Sequence, residues 1–315
     1  MPYPYFIDNI NKRALCDPAG FAGECEAIFN RKVAETAATI RDMTKAAGSH
    51  VVLLSGPSGS GKTTTSQKIC DALEYLGVHA HTVSLDKYYI TVDPATAPLT
   101  EDGELDRESP FCLDLGLIND HFQMIERNEE IVIPHFNFST QARDPSMAVT
   151  LKLSRDELVI FEGIHALNDM LADKHPDAFK LYISARSDIE RGGGIHFKRT
   201  WTRLLRRVVR DEFFRGTGVM ETLMMWANVR YGEKKYISPF KYKAGILFDS
   251  SMEYEVPVMK QFALNAFREV PDGAKRLDEL RALLPALTEF EEIDPSVVPP
   301  DSILREFVGG GIYER

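Results

Sequence analysis

Three glycines, a lysine and a run of hydroxyl residues stand together in "SGPSGSGKTTTS", residues 55–66, directly after the apolar run "HVVLL". Gly56, Gly61, Lys62 and Thr63 fit the spacing G-x-x-x-x-G-K-[ST], between a strand and a helix as that pattern requires. Glycines let successive backbone N–H groups curl around an anion, and the helix N-terminus adds a partial positive charge. Ser58, Gly59, Ser60 and Thr64 complete the set of amides and hydroxyls that would face phosphates. Lys62 is placed to reach the β- and γ-phosphates and the Thr63 hydroxyl to ligate Mg²⁺. The competing reading, a glycine-rich turn that binds nothing, does not account for the complete pattern in its context. A phosphate loop says nothing of what receives the phosphate, because unrelated activities share it.

A nucleoside triphosphate held with Mg²⁺ needs a carboxylate near the metal and a group that activates a nucleophile. Asp86 in "SLDKYY" and Glu162 in "VIFEG" each close an apolar, strand-like run. That is where an α/β sheet opens onto its ligand crevice. Capping of the following turn is the alternative role for each. The stretch "RTWTRLLRRVVRDEFFRGTG" adds Arg203, Arg206, Arg207, Arg210 and Arg215 at helical spacing, with Arg203, Arg207 and Arg210 on one face. Such a row serves either as a lid that neutralises charge on a transferring phosphoryl group or as a solvated basic face.

The elements that must position these residues follow from periodicity. Residues 24–47 space their apolar positions (Ile28, Val33, Ala37, Ile40, Met43) as a helix that stops at Gly48. "HVVLLSG" reads as a buried parallel strand, "KTTTSQKICDALEYLG" as a helix closed by Gly77, and "VHAHTVSLD" as a second strand. This is a βαβ unit. Residues 91–110 form a long Pro-, Asp- and Thr-rich loop of the kind that is more often functional than idle. A helix over 111–128 follows, then a hairpin excursion from "EIVIPHFNF" to "AVTLKLS". "DELVIFEG", "FKLYISA" and "AGILFDSS" are further strands, and "EVPVMKQFALNAFREV" and "GAKRLDELRALLPALTEFEEI" closing helices. The expected fold is α/β: a P-loop three-layer sandwich, its mostly parallel sheet of five or six strands covered by helices on both faces. The expected division is an N-terminal segment and helix over 1–48, a phosphate-loop domain over 49–270, and a C-terminal helical appendage over 271–315. Within the domain, a hairpin at about 130–153 and a lid at about 190–235 are expected, with Gly192–Gly194 either a hinge or a plain connection.

A formal net charge of −10 argues against a general nucleic-acid or membrane surface. The four cysteines lack paired or dense spacing and read as free thiols of a reducing compartment. The N-terminus has no secretory pattern and no apolar run approaches a bilayer's span, so a cytoplasmic protein is expected. His79, His81, His121 and His135 show no metal-ligand spacing with a third partner and read as structural or surface residues, whereas His165 follows the Glu162 turn and is an acceptor-site candidate.

The ordered set "GPSGSGKTT", "SLDKYY", "FEGIHALN" and "RRVVRDEFFRG" resembles the uridine kinase / phosphoribulokinase family of P-loop kinases. "EDGELDRES", "PHFNFST", "METLMMWANVRYGEKKYISPF" and "PDSILREFVGG" narrow the likeness to a bacterial uridine kinase-like branch, over roughly residues 25 to 312. The TGS domain usual in that branch is expected to be absent, since the first expected helix begins at residue 24. The resemblance implies ATP and Mg²⁺ as cofactors and a small hydroxylated substrate, uridine or cytidine being the family's acceptors. It leaves open a sugar, polyol or sugar phosphate, an ATP-binding regulatory module, and a homo-oligomer. It implies Asp86 as general base, Lys62, Arg210 and Arg215 as catalytic cations, and Thr63 and Glu162 at the metal. Tyr89, Asp106, Glu108 and Arg207 would meet the acceptor. Where uridine kinases hold the pyrimidine with a tyrosine and a histidine, this chain offers Phe136 and Gln141, and a further lid arginine is replaced by Thr217.

Overall fold

The computed structural model describes residues 4–91, 93, 95, 97–100, 103, 105–271 and 277–313. The chain begins with β1 (Tyr5–Phe6), α1 (Ile7–Cys16) and the long α2 (Pro18–Ala47). β2 (Val51–Ser55) leads through the glycine loop into α3 (Lys62–Tyr75) and β3 (Ala80–Ser84). After α4 (Leu115–Glu126) come four short strands, β4 (Ile131–Ile133), β5 (Phe136–Asn137), β6 (Ala142–Arg143) and β7 (Val149–Leu151). β8 (Leu158–Glu162), the single turn α5 (Asp169–Ala172) and β9 (Phe179–Ser184) precede a ribbon of β10 (Ile189–Arg191) and β11 (Gly194–Phe197). α6 (Arg199–Arg210), α7 (Val219–Gly232), β12 (Ile246–Asp249), α8 (Glu255–Phe267), α9 (Asp278–Thr288) and α10 (Arg305–Val308) complete the fold.

Five strands pair in the order β12-β9-β2-β8-β3, every pairing parallel. β2 is central because its "VVLLS" is buried throughout and has no polar face to show. Its alternate residues feed two cores. Val52 and Leu54, with Ile160 and Leu181, pack with α2, α3, α6 and α8. Val51 and Leu53, with Val159 and Phe161, pack with α4 and the β4–β7 hairpin. The chain leaves β2, returns as β3 at the edge, and inserts β8 between them. The crevice therefore opens at the carboxyl ends of β2, β3 and β8.

α2 starts six residues before the expected Glu24. The Asp17 side chain accepts from Gly20 N, Pro18 occupies the first turn, and Phe21 and Ala22 are buried. Gly20 and Gly23 hid this turn from a propensity reading, and the cap overrides them. Of the last expected helix, residues 273–276 lie outside the described residues, and α9 spans Asp278–Thr288. The tail expected in an appendage returns to the first core, where Ile303, Leu304 and Phe307 are fully buried. No described helix is long and apolar enough to cross a membrane.

α6 is the helix of the arginine row, and three of its arginines, Arg203, Arg206 and Arg210, are buried rather than displayed, the first two in ion pairs with distant carboxylates. Arg206 is 0% exposed, pairs with Glu255 at 2.6 Å and lies 5.0 Å over the Phe307 ring. Arg203 pairs with Glu233 at 2.9 Å. Removing one partner of a buried pair strands the other charge without water, at a cost of about 3–5 kcal/mol. Arg206→Met is therefore expected to lower unfolding free energy by about that much in a urea titration. A loss below about 1 kcal/mol would show that the pair is dispensable to the fold.

Candidate active site

The glycine loop is shaped by its own residues and held from behind. Gly59 and Gly61 take φ of +74° and +78°, which disfavour any side chain. A Cβ on Gly56 would meet Ile183 O at 2.0 Å, so only glycine lets the loop pass β9. Arg203 Nε donates to Ser58 O (3.0 Å), Arg206 Nη1 to Gly59 O (3.3 Å) and Ser250 Oγ to Ser60 O (2.7 Å). These bonds hold three of the loop's carbonyls from behind, and Ser58, Gly59, Gly61 and Lys62 line the cleft at the start of α3, where a helix N-terminus favours an anion.

That cleft holds about 250 Å³ and is lined by Lys62, Thr63, Asp86, Glu162, Arg210 and Arg215, together with Ser58, Gly59, Gly61 and Thr64. Gly56 and Ser60 shape the loop without lining it. Thr63 Oγ1 donates to Glu162 Oε1 at 3.2 Å. Desolvation at the end of β8 raises the Glu162 carboxyl to about 7 against the pull of Lys62, with Asp86 and Glu306 raising it further. Desolvation lowers the Lys62 ammonium in turn, opposed by Glu162, Asp86 and Glu306. Asp86 is the second residue of a 3-10 turn over Leu85–Tyr88 after β3, its N–H held by Ser84 Oγ, and is exposed at the rim. The arrangement is an anion cradle facing a carboxylate pocket, with oxygen donors of the kind a hard divalent cation takes. Arg210 is tied to Asp211, and burial lowers Arg215, as does the neighbouring Arg210.

A second cleft of about 440 Å³ gathers Tyr89, Asp106, Glu108, Phe136, Gln141 and Arg207. The rings of Tyr89, Phe136 and Phe138 stand 5.0–5.6 Å apart in tilted and edge contacts. Tyr236 donates to Asp106 Oδ2 at 2.8 Å. Glu108 Oε2 is buried without a hydrogen-bond partner, and desolvation raises its carboxyl to about 7, opposed by Arg207 and Lys62. Arg207 joins the clefts: it lines the second while its Nη1 donates to Ser58 Oγ of the first at 2.9 Å. Gln141 has φ +54° and spends its amide on Phe138 O at 2.6 Å. His165 lines neither cleft. It is buried against the backbone at Glu108 and Tyr236, and desolvation lowers its ring to about 3, which keeps it neutral.

The arginine row thus divides. Arg207, Arg210 and Arg215 face the clefts, whereas Arg203 and Arg206, expected on a lid or a solvated face, are internal braces of the loop. Helical spacing cannot show this, since it says which residues share a face but not what covers it. The tail supplies a residue that the spacing of motifs also missed. Glu306 Oε2 accepts from Thr64 N (3.3 Å) and Thr64 Oγ1 (2.8 Å), and Ile303 abuts Gly61. A carboxylate of the chain's own tail therefore occupies anion-binding donors at the start of α3. The stretch "SILREF" was legible as a recurring segment, but its place was not. A larger cavity of about 620 Å³, between α2 and the β9–β12 edge, is lined by Lys32, Arg186, Asp249 and Glu253 among others and shares no lining residue with either cleft.

Residues 51–257 match the family described as Phosphoribulokinase / Uridine kinase family. A uridine kinase of Staphylococcus haemolyticus is 26% identical over 216 residues, which cover 67% of this chain and 93% of that protein. A uridine kinase of Staphylococcus aureus (strain Newman) is 25% identical over 212 residues, covering 66% and 91%. Among solved structures, a putative fructose transport system kinase from Silicibacter sp. TM1040 superposes with TM-score 0.46 at 20% identity, covering 64% of this chain and 95% of that one. The D-glycerate 3-kinase from Cryptococcus neoformans var. grubii does so with TM-score 0.46 at 16% identity, covering 66% and 88%.

Glu108 makes a pH prediction. A carboxyl raised to about 7 in the fold, against an unfolded value of about 4.3, binds its proton more tightly when folded. Its contribution to stability is fully present below the unfolded value and is lost as pH rises through 7. Glu108→Gln is expected to match the wild-type melting temperature near pH 4.5 and to exceed it at pH 8. Parallel melting curves across that window would mean that Glu108 is not desolvated.

Proposed function

The chain belongs to the phosphoribulokinase / uridine kinase family, and we propose that it transfers the γ-phosphoryl group of ATP to a hydroxyl of a small polyhydroxylated acceptor, a nucleoside of the uridine or cytidine kind. The observation that carries this reading is the junction of an anion cradle with a second, aromatic and acidic cleft through Arg207 and Ser58. In it, Lys62 and the loop amides bind the phosphates and Asp86 accepts the proton of the attacking hydroxyl. Arg210 and Arg215 offset the charge that spreads over the phosphoryl oxygens in an in-line displacement. Thr63 Oγ1 and Glu162 Oε1, 3.2 Å apart, fit Mg²⁺, and a carboxylate raised by desolvation gains a compensating charge there. Thr63 and Glu162 would hold the ion, and its chemistry there would be that of a Lewis acid toward the phosphates.

The three rings of Tyr89, Phe136 and Phe138 offer a wall on which a planar base packs, and Asp106 and Glu108 accept from ribose hydroxyls. A second reading, a sugar, polyol or sugar phosphate, is favoured by Gln141. One of its amide N–H groups is engaged by Phe138 O, and Phe136 at the other expected base-holding position carries no hydroxyl to orient a pyrimidine. An ATP-binding regulatory module has no use for the second cleft. ATP consumption across nucleosides, sugars, polyols and sugar phosphates tests all three. Uridine or cytidine is expected to drive turnover, and Asp86→Asn to reduce kcat by about 10²–10⁴ while nucleotide affinity survives. A response to polyols or sugars alone selects the second reading. Equal ATP hydrolysis with and without every acceptor overturns both.

Glu306 competes with the nucleotide for Thr64 in this scheme. Glu306→Ala frees both donors and removes a like charge, and is expected to tighten ATP binding by about tenfold, the worth of one charge-assisted hydrogen bond. Weaker binding, measured by calorimetry, would assign Glu306 to the bound state instead.

A further inference from the structure

At the end of the sheet opposite both clefts, the tertiary structure supplies the third partner that His79 and His81 lack in sequence. His81 lies on the edge strand β3 and His79 just before it, where His79 O still accepts from Leu158 N at 3.0 Å, so the two histidines, two residues apart in extended chain, project to one side. β3 pairs with β8 in a register that sets Ala80 against Leu158 and His81 against Val159, which brings Glu157 alongside. One nitrogen or oxygen from each of His79, His81 and Glu157 lies within 4.8 Å of the other two. His81 Nε2 is 3.3 Å from Glu157 Oε2, and the two imidazole rings meet edge to face at 4.8 Å.

We propose that His79, His81 and Glu157 form a binding site for a divalent transition-metal ion, Zn²⁺ in particular, with Glu74 orienting His79. Two imidazoles and one carboxylate form a three-ligand set that leaves a fourth position to water. The nitrogen donors select Zn²⁺ over Mg²⁺ and Ca²⁺, which take oxygen. The supporting partners that such sites need are already in place. Glu74 Oε2 holds His79 Nδ1 at 2.8 Å, which leaves His79 Nε2 for the metal. The Ser154 N–H holds Glu157 Oε2 at 2.9 Å, and His50 Nδ1 lies 2.9 Å from Glu157 O.

Tetrahedral ligands at zinc stand about 3.4 Å apart, so the three atoms must close by about an ångström. The Ala80–Leu158 and His81–Val159 pairs and the Leu158 N–H bond to His79 O hold the backbones beside the site, and the partly exposed side chains reach this by small χ rotations. The bound ion would tie the turn before β8 to the exposed edge of the sheet. It would stabilise the fold far from the phosphate loop and take no part in the proposed transfer.

The full chain, stripped of metal and titrated with ZnCl₂, tests the site. The wild type is expected to bind one more equivalent of Zn²⁺ than the double variant His79→Ala/His81→Ala, and to gain melting temperature on Zn²⁺ addition where the variant does not. Glu74→Gln is expected to weaken that equivalent about tenfold or more. The site-specific Co²⁺ spectrum, taken as wild type minus double variant, is expected to lack thiolate charge-transfer bands, which separates this site from the four cysteines. His79→Ala alone, at an exposed position, carries the same expectation should the double variant lose stability. Equal zinc stoichiometry and equal melting shifts in wild type and variants overturn the proposal.

Discussion

The rest of the molecule depends on two buried guanidiniums. Arg203 and Arg206 enter the back of the glycine loop from α6 and hydrogen bond to the carbonyls of Ser58 and Gly59. Each is desolvated, and each is compensated by a carboxylate from a distant element, Glu233 after α7 and Glu255 at the start of α8. A glycine loop has little conformational preference of its own. Its shape is imposed from outside, by cations that remain in place because their partners are buried with them. The same bracing decides the loop's polarity. Carbonyls turned toward arginines leave amides for anions.

The clefts collect charge that no isolated element would tolerate. Asp86, Glu162 and Glu306 surround Lys62, and desolvation pushes the Glu162 carboxyl up while it pushes the Lys62 ammonium down. Such mutual perturbation at strand ends is typical of places where charge is to be received rather than merely buried. Glu108, with an unpartnered buried oxygen, repeats the pattern in the second cleft. Gly232 contributes sterically there, since a Cβ on it would lie 2.3 Å from Glu108 Cβ. α7 therefore closes over Glu108 only because that position is glycine.

Much of this was legible beforehand. The order of strands and helices, the loop, and the carboxylates at the ends of β3 and β8 follow from short-range pattern. A parallel strand buried on both faces must be continuously apolar, and a phosphate loop must carry its glycines at fixed offsets. The early start of α2 was hidden by two glycines that the Asp17 cap outweighs. The arginine row up to Arg210 lies on α6 as its spacing predicts, but spacing does not separate the three cleft-facing members from the two braces, which carry the same residue type.

The sequence by itself determined what is local: periodicity, turn chemistry, the spacing that makes an anion site, and the residue types available for phosphoryl chemistry. Tertiary structure decided which of five arginines became internal, that Glu306 returns across the chain to Thr64, that His165 is buried outside the lining of either cleft, and that Glu157 meets His79 and His81. Each of these rests on burial or on contact between residues far apart in the chain. Desolvation and partner identity are properties of the packed fold, and a linear pattern of side chains does not contain them.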